Sequence, residues 1–343
     1  MPSVYQSKIF IYLCNHVVKR ISDNHRAMNI PCIFNCSNDM ALATNARQYL
    51  PPKRIQQMEV DLADLAYVWE GTQFAGPWGW SLATKQRYKQ MGVPEELLPS
   101  DEWLEEVRRL SSREYSCFYL KQLLGTLHDV NLLGWGMKFQ KTLSPSMEAR
   151  EPSLMPFIFK SLWSSSGRGV FVSDTFDVPT QQRLQGFISS QGGYVVDEYY
   201  ENKVLDFAME FFIHPNHQVE FLGYSVFVAS AHGAYGYNYV ESQADLLRRI
   251  DVDEKLLQQF IDFHKVYLSK LAYHGPVGVD MLKTADGSIH PCLELNLRMN
   301  MGILALLLYE RYGAHATIAL TPEREKGFQA VLSEGRLMIV YRS

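Results

Sequence analysis

The chain switches repeatedly between two hydrophobic periods. Residues 205–213, LDFAMEFFI, alternate with a period of two, which predicts a strand with Asp206 and Glu210 on its polar side. Residues 219–229 and the β-prone run YVVDEYY at 194–200 predict two more strands. Residues 101–110, 112–124, 179–190 and 251–271 read instead as helices. The first of these opens on Asp101 and Glu102 and closes on Arg108 and Arg109, which suits the helix dipole. Gly192-Gly193 ends the third. Near the start, NIPCIFN at 29–35 predicts a short buried strand, and Ser37 or Asn38 caps the helix after it. Asn35, Asn38 and Asp39 then stand at the carboxyl end of that strand, as caps or as ligand contacts. Residues 62–69 read as a strand or a helical turn. Ser81 caps a helix running to Met91, and Trp78 and Trp80 before it pack locally or line a pocket. HGAYGYNY at 232–239 reads as an aromatic loop.

Residues 277–283 and 289–297 predict a hairpin joined by Ala285-Asp286-Gly287, whose glycine suits a positive φ. If Thr284 faces Ser288, Asp280 falls opposite Cys292 and Gly278 opposite Glu294. Opposed residues share a face, and alternate residues stay on it. Asp280, Glu294 and Asn296 then project to one side, and Leu293, Leu295 and Leu297 to the other. An ordinary hairpin leaves its polar side in water. Here 291–293 continue an apolar context and MNMGILALLL follows at 299–308, which sets the carboxylates beside a buried element. Buried carboxylates need a partner or a cation. Grouped oxygen donors suit Mg²⁺, or Mn²⁺ in its place; Mg²⁺ keeps waters and takes further ligands from substrate phosphates.

Residues 156–160, PFIFK, predict a strand ending in Lys160, and 170–172 resume a strand after the loop SLWSSSGRG. Ser164, Ser165, Ser166, Gly167 and Gly169 make that loop a flap whose N–H groups and hydroxyls can cradle phosphates. It is not a Walker A loop, because no Gly-Lys-Ser/Thr leads into a helix.

The 343 residues leave room for two or three domains. The net charge of −4, without a long basic run, gives no support to nucleic acid as a partner. Five cysteines, none in a CxxC, argue for reduced thiols and a cytoplasmic location. No stretch approaches the roughly 18 apolar residues that span a membrane. Residues 1–27 look unlike the start of a domain, and Met28 directly precedes the first predicted strand.

In order, the chain holds a lysine-ended strand, a Ser/Gly flap, a Val-Val-Asp-Glu-Tyr hinge, GVDM, and Glu-Leu-Asn-Leu-Arg. This set resembles the ATP-grasp superfamily over residues 113–302. GVDM with ELNLR is similar to the ExNxR segment of its carboxylase and carbamoyl-phosphate synthetase branch. The resemblance implies an α+β and α/β architecture, with two α+β lobes clasping a nucleotide after an α/β pre-ATP-grasp domain. The divisions would be a 1–27 extension, 28–112 for the first domain, 113–197 for the flap lobe and 198–343 for the metal lobe. Lys160 would contact nucleotide phosphate, with the flap around it. Glu198 would face adenine at the hinge and Asp206 the ribose hydroxyls. Asp280, Glu294 and Asn296 would hold Mg²⁺. Arg298 would meet the transferred phosphate or a substrate carboxylate through a bidentate fork. Lys160 and Arg298 are thus the expected catalytic groups, and Arg113 or Lys121 the second phosphate-binding cation. The implied activity is an ATP- and Mg-dependent ligase. It would join a small-molecule or peptide carboxylate to an amine or thiol through an acylphosphate. A small-molecule kinase, or a nucleotide-binding protein without turnover, would use the same residues.

Overall fold

A computed structural model describes residues 30–127, 129, 131–143, 156–164, 167–229, 235–313, 316–321, 329–332 and 338–341. The extension at 1–27 lies outside them, as do Ser165 and Ser166 of the flap. The described chain up to residue 112 is mainly helical: α1 Asn38–Thr44, α2 Lys53–Asp61, a 3-10 turn Ala63–Val68, α3 Leu82–Gln90 and α4 Asp101–Leu110. Ser81 caps α3 as expected, accepting from Thr84 N at 3.2 Å. Ser37 precedes α1 without a side-chain cap, because its hydroxyl donates to Glu59 Oε1 at 2.6 Å. Of the strand expected at 29–35, none forms among the described residues 30–35. Ile33 makes one parallel bridge to Pro77, and neither Pro31 nor Pro77 has the N–H a longer ladder needs.

α5 Arg113–Leu127, β1 Lys138–Gln140, β2 Phe157–Ser161, β3 Val170–Ser173, α6 Val178–Gln191 and β4 Tyr194–Glu198 follow. Their strands form an antiparallel sheet in the order β1-β4-β2-β3. The period of two turns Phe157 and Phe159 to a core with Leu184 of α6, and Ile158 and Lys160 to the opposite side.

The rest of the chain supplies β5 Lys203–Ile213, β6 Val219–Ala229, β7 Tyr235–Val240, α7 Gln243–Ile250 and α8 Glu254–Leu268. It continues with β8 Gly275–Thr284, β9 Ile289–Asn296, α9 Met301–Tyr312, β10 Ala316–Thr321, β11 Gln329–Leu332 and β12 Met338–Tyr341. These strands form an antiparallel sheet of eight, in the order β11-β12-β10-β7-β6-β5-β8-β9. Phe207, Met209 and Phe211 of β5 join Val277, Val279 and Met281 of β8 and Phe260 of α8 in one core. Asp206, Ala208 and Glu210 turn to the other side, as the alternation at 205–213 predicts.

Three expectations change here. The aromatic segment at 235–240 is a strand, paired with β6 and β10. The helix expected over 251–271 forms as the single helix α8, from Glu254 to Leu268 under an Asp253 cap, and an unexpected helix, α7, precedes it and ends at Asp251 with a left-handed backbone, φ 46°. The β8–β9 register also differs. Thr284 N does bond Ser288 O, at 3.0 Å, and Leu282 faces His290. Beyond that, Met281 alone spans residues 291–293, so Asp280 faces Glu294 and Gly278 faces Asn296. Pro291 cannot donate a ladder bond, and the bulge forms around it. Asp280, Glu294 and Asn296 keep a common side. Leu293 does not join the leucine row, because the bulge gives its core position to Cys292.

Candidate active site

A cavity of about 330 Å³ lies between the two sheets and reaches the N-terminal helices. Lys160, Ser164, Gly167, Glu198, Asp206, Asp280, Glu294, Asn296 and Arg298 all line it. Gly169 stands behind this lining. Its carbonyl accepts from Ser161 N at 2.8 Å, and its φ of +69° and the adjacent Ser161 hydroxyl leave no room for a Cβ.

The acidic corner follows from the bulged register. Asp280 and Glu294 are direct cross-strand neighbours. Asn296 Nδ2 donates to Asp280 Oδ2 at 2.9 Å, and its Oδ1 accepts from Arg298 Nη2 at 2.9 Å. Burial pushes the Asp280 carboxyl up to about 8, with Glu294 and Glu210 adding to the effect and Asn296 and Arg298 opposing it. Such crowding is relieved by a cation. No group of three or more His, Cys, Asp or Glu suited to a metal occurs among the described residues. The donor set is two carboxylates and an amide, which fits an Mg²⁺ whose remaining positions go to water and phosphate.

The basic groups surround this corner. Arg113 opens α5 and is buried. Its Nη1 donates to Ser161 O at 2.7 Å and Ser164 Oγ at 2.8 Å, and its Nη2 to Glu294 Oε2 at 2.8 Å. It therefore ties the flap to the acidic corner. Lys121 is exposed farther along α5 and does not line the cavity. Of the two candidates for the second cation, Arg113 has the position. Lys160 is buried on β2, between Val170 and Val195. Arg298 does present a bidentate fork, but to Asp39 of α1, at 2.9 and 2.8 Å.

At the hinge end, Glu198 closes β4, and Ile158, Leu282 and Leu293 give this part of the cavity apolar walls. Asp206 accepts from Lys203 Nζ at 2.7 Å; burial raises its carboxyl, and Lys203 opposes the rise.

Asp39, read from the sequence as a cap or a ligand contact, is the partner of Arg298. Sequence reasoning missed other groups. Glu210 was placed on a polar side but given no role. It is fully buried, accepting from Ser225 Oγ and Asn300 Nδ2, each at 2.8 Å. Burial pushes its carboxyl up to about 7, against these two hydrogen bonds and Arg298. Asp197 of β4 and His290 of β9 form a buried pair at 3.0 Å that links the two sheets. Trp78 lines the cavity, whereas Trp80 packs on Tyr88.

No protein-family model matches the sequence, and no curated protein matches it. Solved structures do match. Biotin carboxylase from Campylobacter jejuni, in a β,γ-ATP complex, aligns with a TM-score of 0.53 at 11% identity, over 92% of this chain and 87% of that one. N5-carboxyaminoimidazole ribonucleotide synthetase, in an ADP complex, aligns with a TM-score of 0.51 at 12% identity, over 91% and 90%. The biotin carboxylase domain of the Hydrogenobacter thermophilus 2-oxoglutarate carboxylase, crystallised with MgADP, gives 0.48 at 10% identity. That alignment covers 69% of this chain and 62% of the domain, so the chain spans less than two thirds of its length.

Proposed function

We propose that this chain, which has the ATP-grasp fold, is an ATP- and Mg²⁺-dependent ligase that joins a carboxylate to a nitrogen or sulfur nucleophile. The observation that carries this reading is the composition of one cavity. Two directly opposed carboxylates share it with the cations Lys160, Arg113 and Arg298. ATP or ADP in the two structural neighbours that align over more than nine tenths of this chain supports a nucleotide as the ligand. Four of the five cysteines, Cys32, Cys36, Cys117 and Cys292, are free thiols, which supports a reducing, cytoplasmic setting. No helix among the described residues is long and apolar enough to cross a membrane.

In this reading adenine lies against Leu293 and Ile158 near Glu198, and Asp206 takes the ribose hydroxyls. Lys160, Arg113 and the flap hold the phosphates. Asp280, Glu294 and Asn296 hold Mg²⁺, which would offset charge on the triphosphate. Lys160 and Arg298 stabilise charge on the phosphoryl group as it passes to the substrate carboxylate. The resulting acylphosphate is attacked by the nucleophile, and phosphate leaves. Because Arg113 bonds both Ser164 and Glu294, the flap and the metal side are held in one register.

The test is an ADP-release screen of carboxylates against pooled amines and thiols, with and without Mg²⁺, beside calorimetric binding of ATP. A ligase releases free phosphate with a new amide or thioester, whereas a kinase leaves the phosphate on its product. ATP binding without any ADP release would make the protein a nucleotide binder. Absence of Mg²⁺-dependent ATP binding would overturn the assignment.

A further inference from the structure

Most charged groups of the cavity are already paired. Arg113 is bound to Glu294, Lys203 to Asp206, and Arg298 to Asp39. Asp280 belongs to the corner proposed for the cation. Lys160 and Glu198 have the nucleotide contacts proposed above, and Glu210 is left over. It is 1% exposed, lines the cavity, and has no ion-pair partner among the described residues. A carboxylate offers about four acceptor positions, and Ser225 and Asn300 fill two of those on Glu210. Burying a carboxylate without a cation is costly, so a position like this calls for one.

The site is also shaped for its carboxylate. Gly278 and Gly302 flank Glu210, and a Cβ on Gly302 would collide with its Oε1 and with the Ser225 hydroxyl. A Cβ on Gly278 would come within 2.8 Å of Oε2. Asn300 is held in turn, its Oδ1 accepting from Ile303 N at 2.9 Å. Ser225, Asn300 and Gly302 all line the cavity. Beside them Met301 packs with Met58, Phe34 and Trp78, an apolar wall facing the same space.

We propose that Glu210, with Ser225 and Asn300, is the subsite for the nucleophile, and that the nucleophile is a primary amine with an apolar body, bound as its ammonium, which gives one proton to the Glu210 carboxylate before the free amine attacks. This deepens the ligase reading and rests on it. An ammonium has three N–H donors and a positive charge, matching the unfilled acceptor positions of a buried carboxylate. A neutral thiol offers the carboxylate one weak donor and no charge, and a thiolate would meet it with like charge. The apolar wall accounts for the rest of the molecule.

The test uses n-butylamine as probe, titrated calorimetrically into the full chain saturated with Mg·ADP, with 1-butanol and 1-butanethiol as neutral counterparts. The wild type should bind butylamine, and Glu210→Gln should bind it about tenfold or more weakly, the loss expected when a charge-assisted contact goes. Mg·ADP affinity should stay within about twofold, as befits a group outside the nucleotide site. Glu210→Asp should fall between the two, and melting curves establish that each variant is folded. Equal butylamine affinity in wild type and Glu210→Gln overturns the proposal, as does preference for butanethiol, or no butylamine binding by a wild type that binds Mg·ADP. Loss of Mg·ADP binding in Glu210→Gln would place Glu210 in the metal site instead and overturn it too. A wild type that fails to bind Mg·ADP brings down the nucleotide reading itself, and this proposal with it.

Discussion

Lys160 differs from the other cavity cations in having no carboxylate within ion-pair distance among the described residues. It therefore has donors to give a phosphate. Lys160→Ala should weaken ATP binding by about 1.5–3 kcal/mol, the loss of one charge-assisted contact. Calorimetry checks this, and unchanged affinity would remove Lys160 from the site. Glu294 makes the complementary case. Glu294→Gln keeps the size and leaves an oxygen for Arg113, while relieving the repulsion that raises the Asp280 carboxyl. The variant should fold with stability near the wild type and lose most Mg²⁺-dependent ADP release. Melting curves with and without Mg·ATP, measured beside ADP release, separate the cases. A solvated carboxylate would leave both unchanged, and a structural one would lose both. Full turnover with retained Mg·ATP stabilisation would exclude the carboxylate pair from the chemistry. At this scale the sequence was informative wherever a residue's role follows from its own strand. It could not reveal that Arg298 is held by Asp39, because those residues meet only through the fold.

Elements were legible where alternation alone decides the outcome. In β5 the period of two separates Phe207, Met209 and Phe211 from Asp206 and Glu210, and the folded strand keeps that separation. The β8–β9 hairpin was legible by face and not by register. One proline without an N–H lets three residues of β9 bulge against Met281, and Leu293 turns from core to cavity. The reading of 29–35 as a strand rested on local hydrophobicity, which cannot supply a neighbouring ladder. β7 was hidden by glycines and tyrosines that read as loop until β6 and β10 pair with them. Where β5 meets the first turn of α9, the contact depends on Gly302. Its absent side chain leaves space for Glu210 and Ser225. Gly302→Ala should destabilise the protein by about 1–3 kcal/mol, because the overpacked atoms belong to buried, hydrogen-bonded groups. Urea unfolding measures this, and a midpoint equal to the wild type would show that the elements separate freely there.

Across the whole molecule, the two sheets must keep a fixed relation for the cavity to hold its shape. Asp197 and His290 tie β4 to β9 from fully buried positions, and Arg113 ties α5 and the flap to the same strand. Burial alone would raise the Asp197 carboxyl. His290 and Lys160 outweigh it, and the group lies below its ordinary value. A carboxyl lowered in the folded state contributes stability that is fully present above its unfolded pKa. That contribution is lost as pH falls through the folded value. The unfolded value is about 3.9, so the contribution is complete at pH 7 and fades in acid. Asp197→Asn should therefore be less stable than the wild type at neutral pH, with a gap that narrows once pH drops below about 4. Urea unfolding of both proteins between pH 7 and 3 tests this. A gap that stays constant through the acid range would mean that the pair acts through shape alone. A gap that closes would show that charge at the centre of the molecule helps hold the two sheets around the cavity.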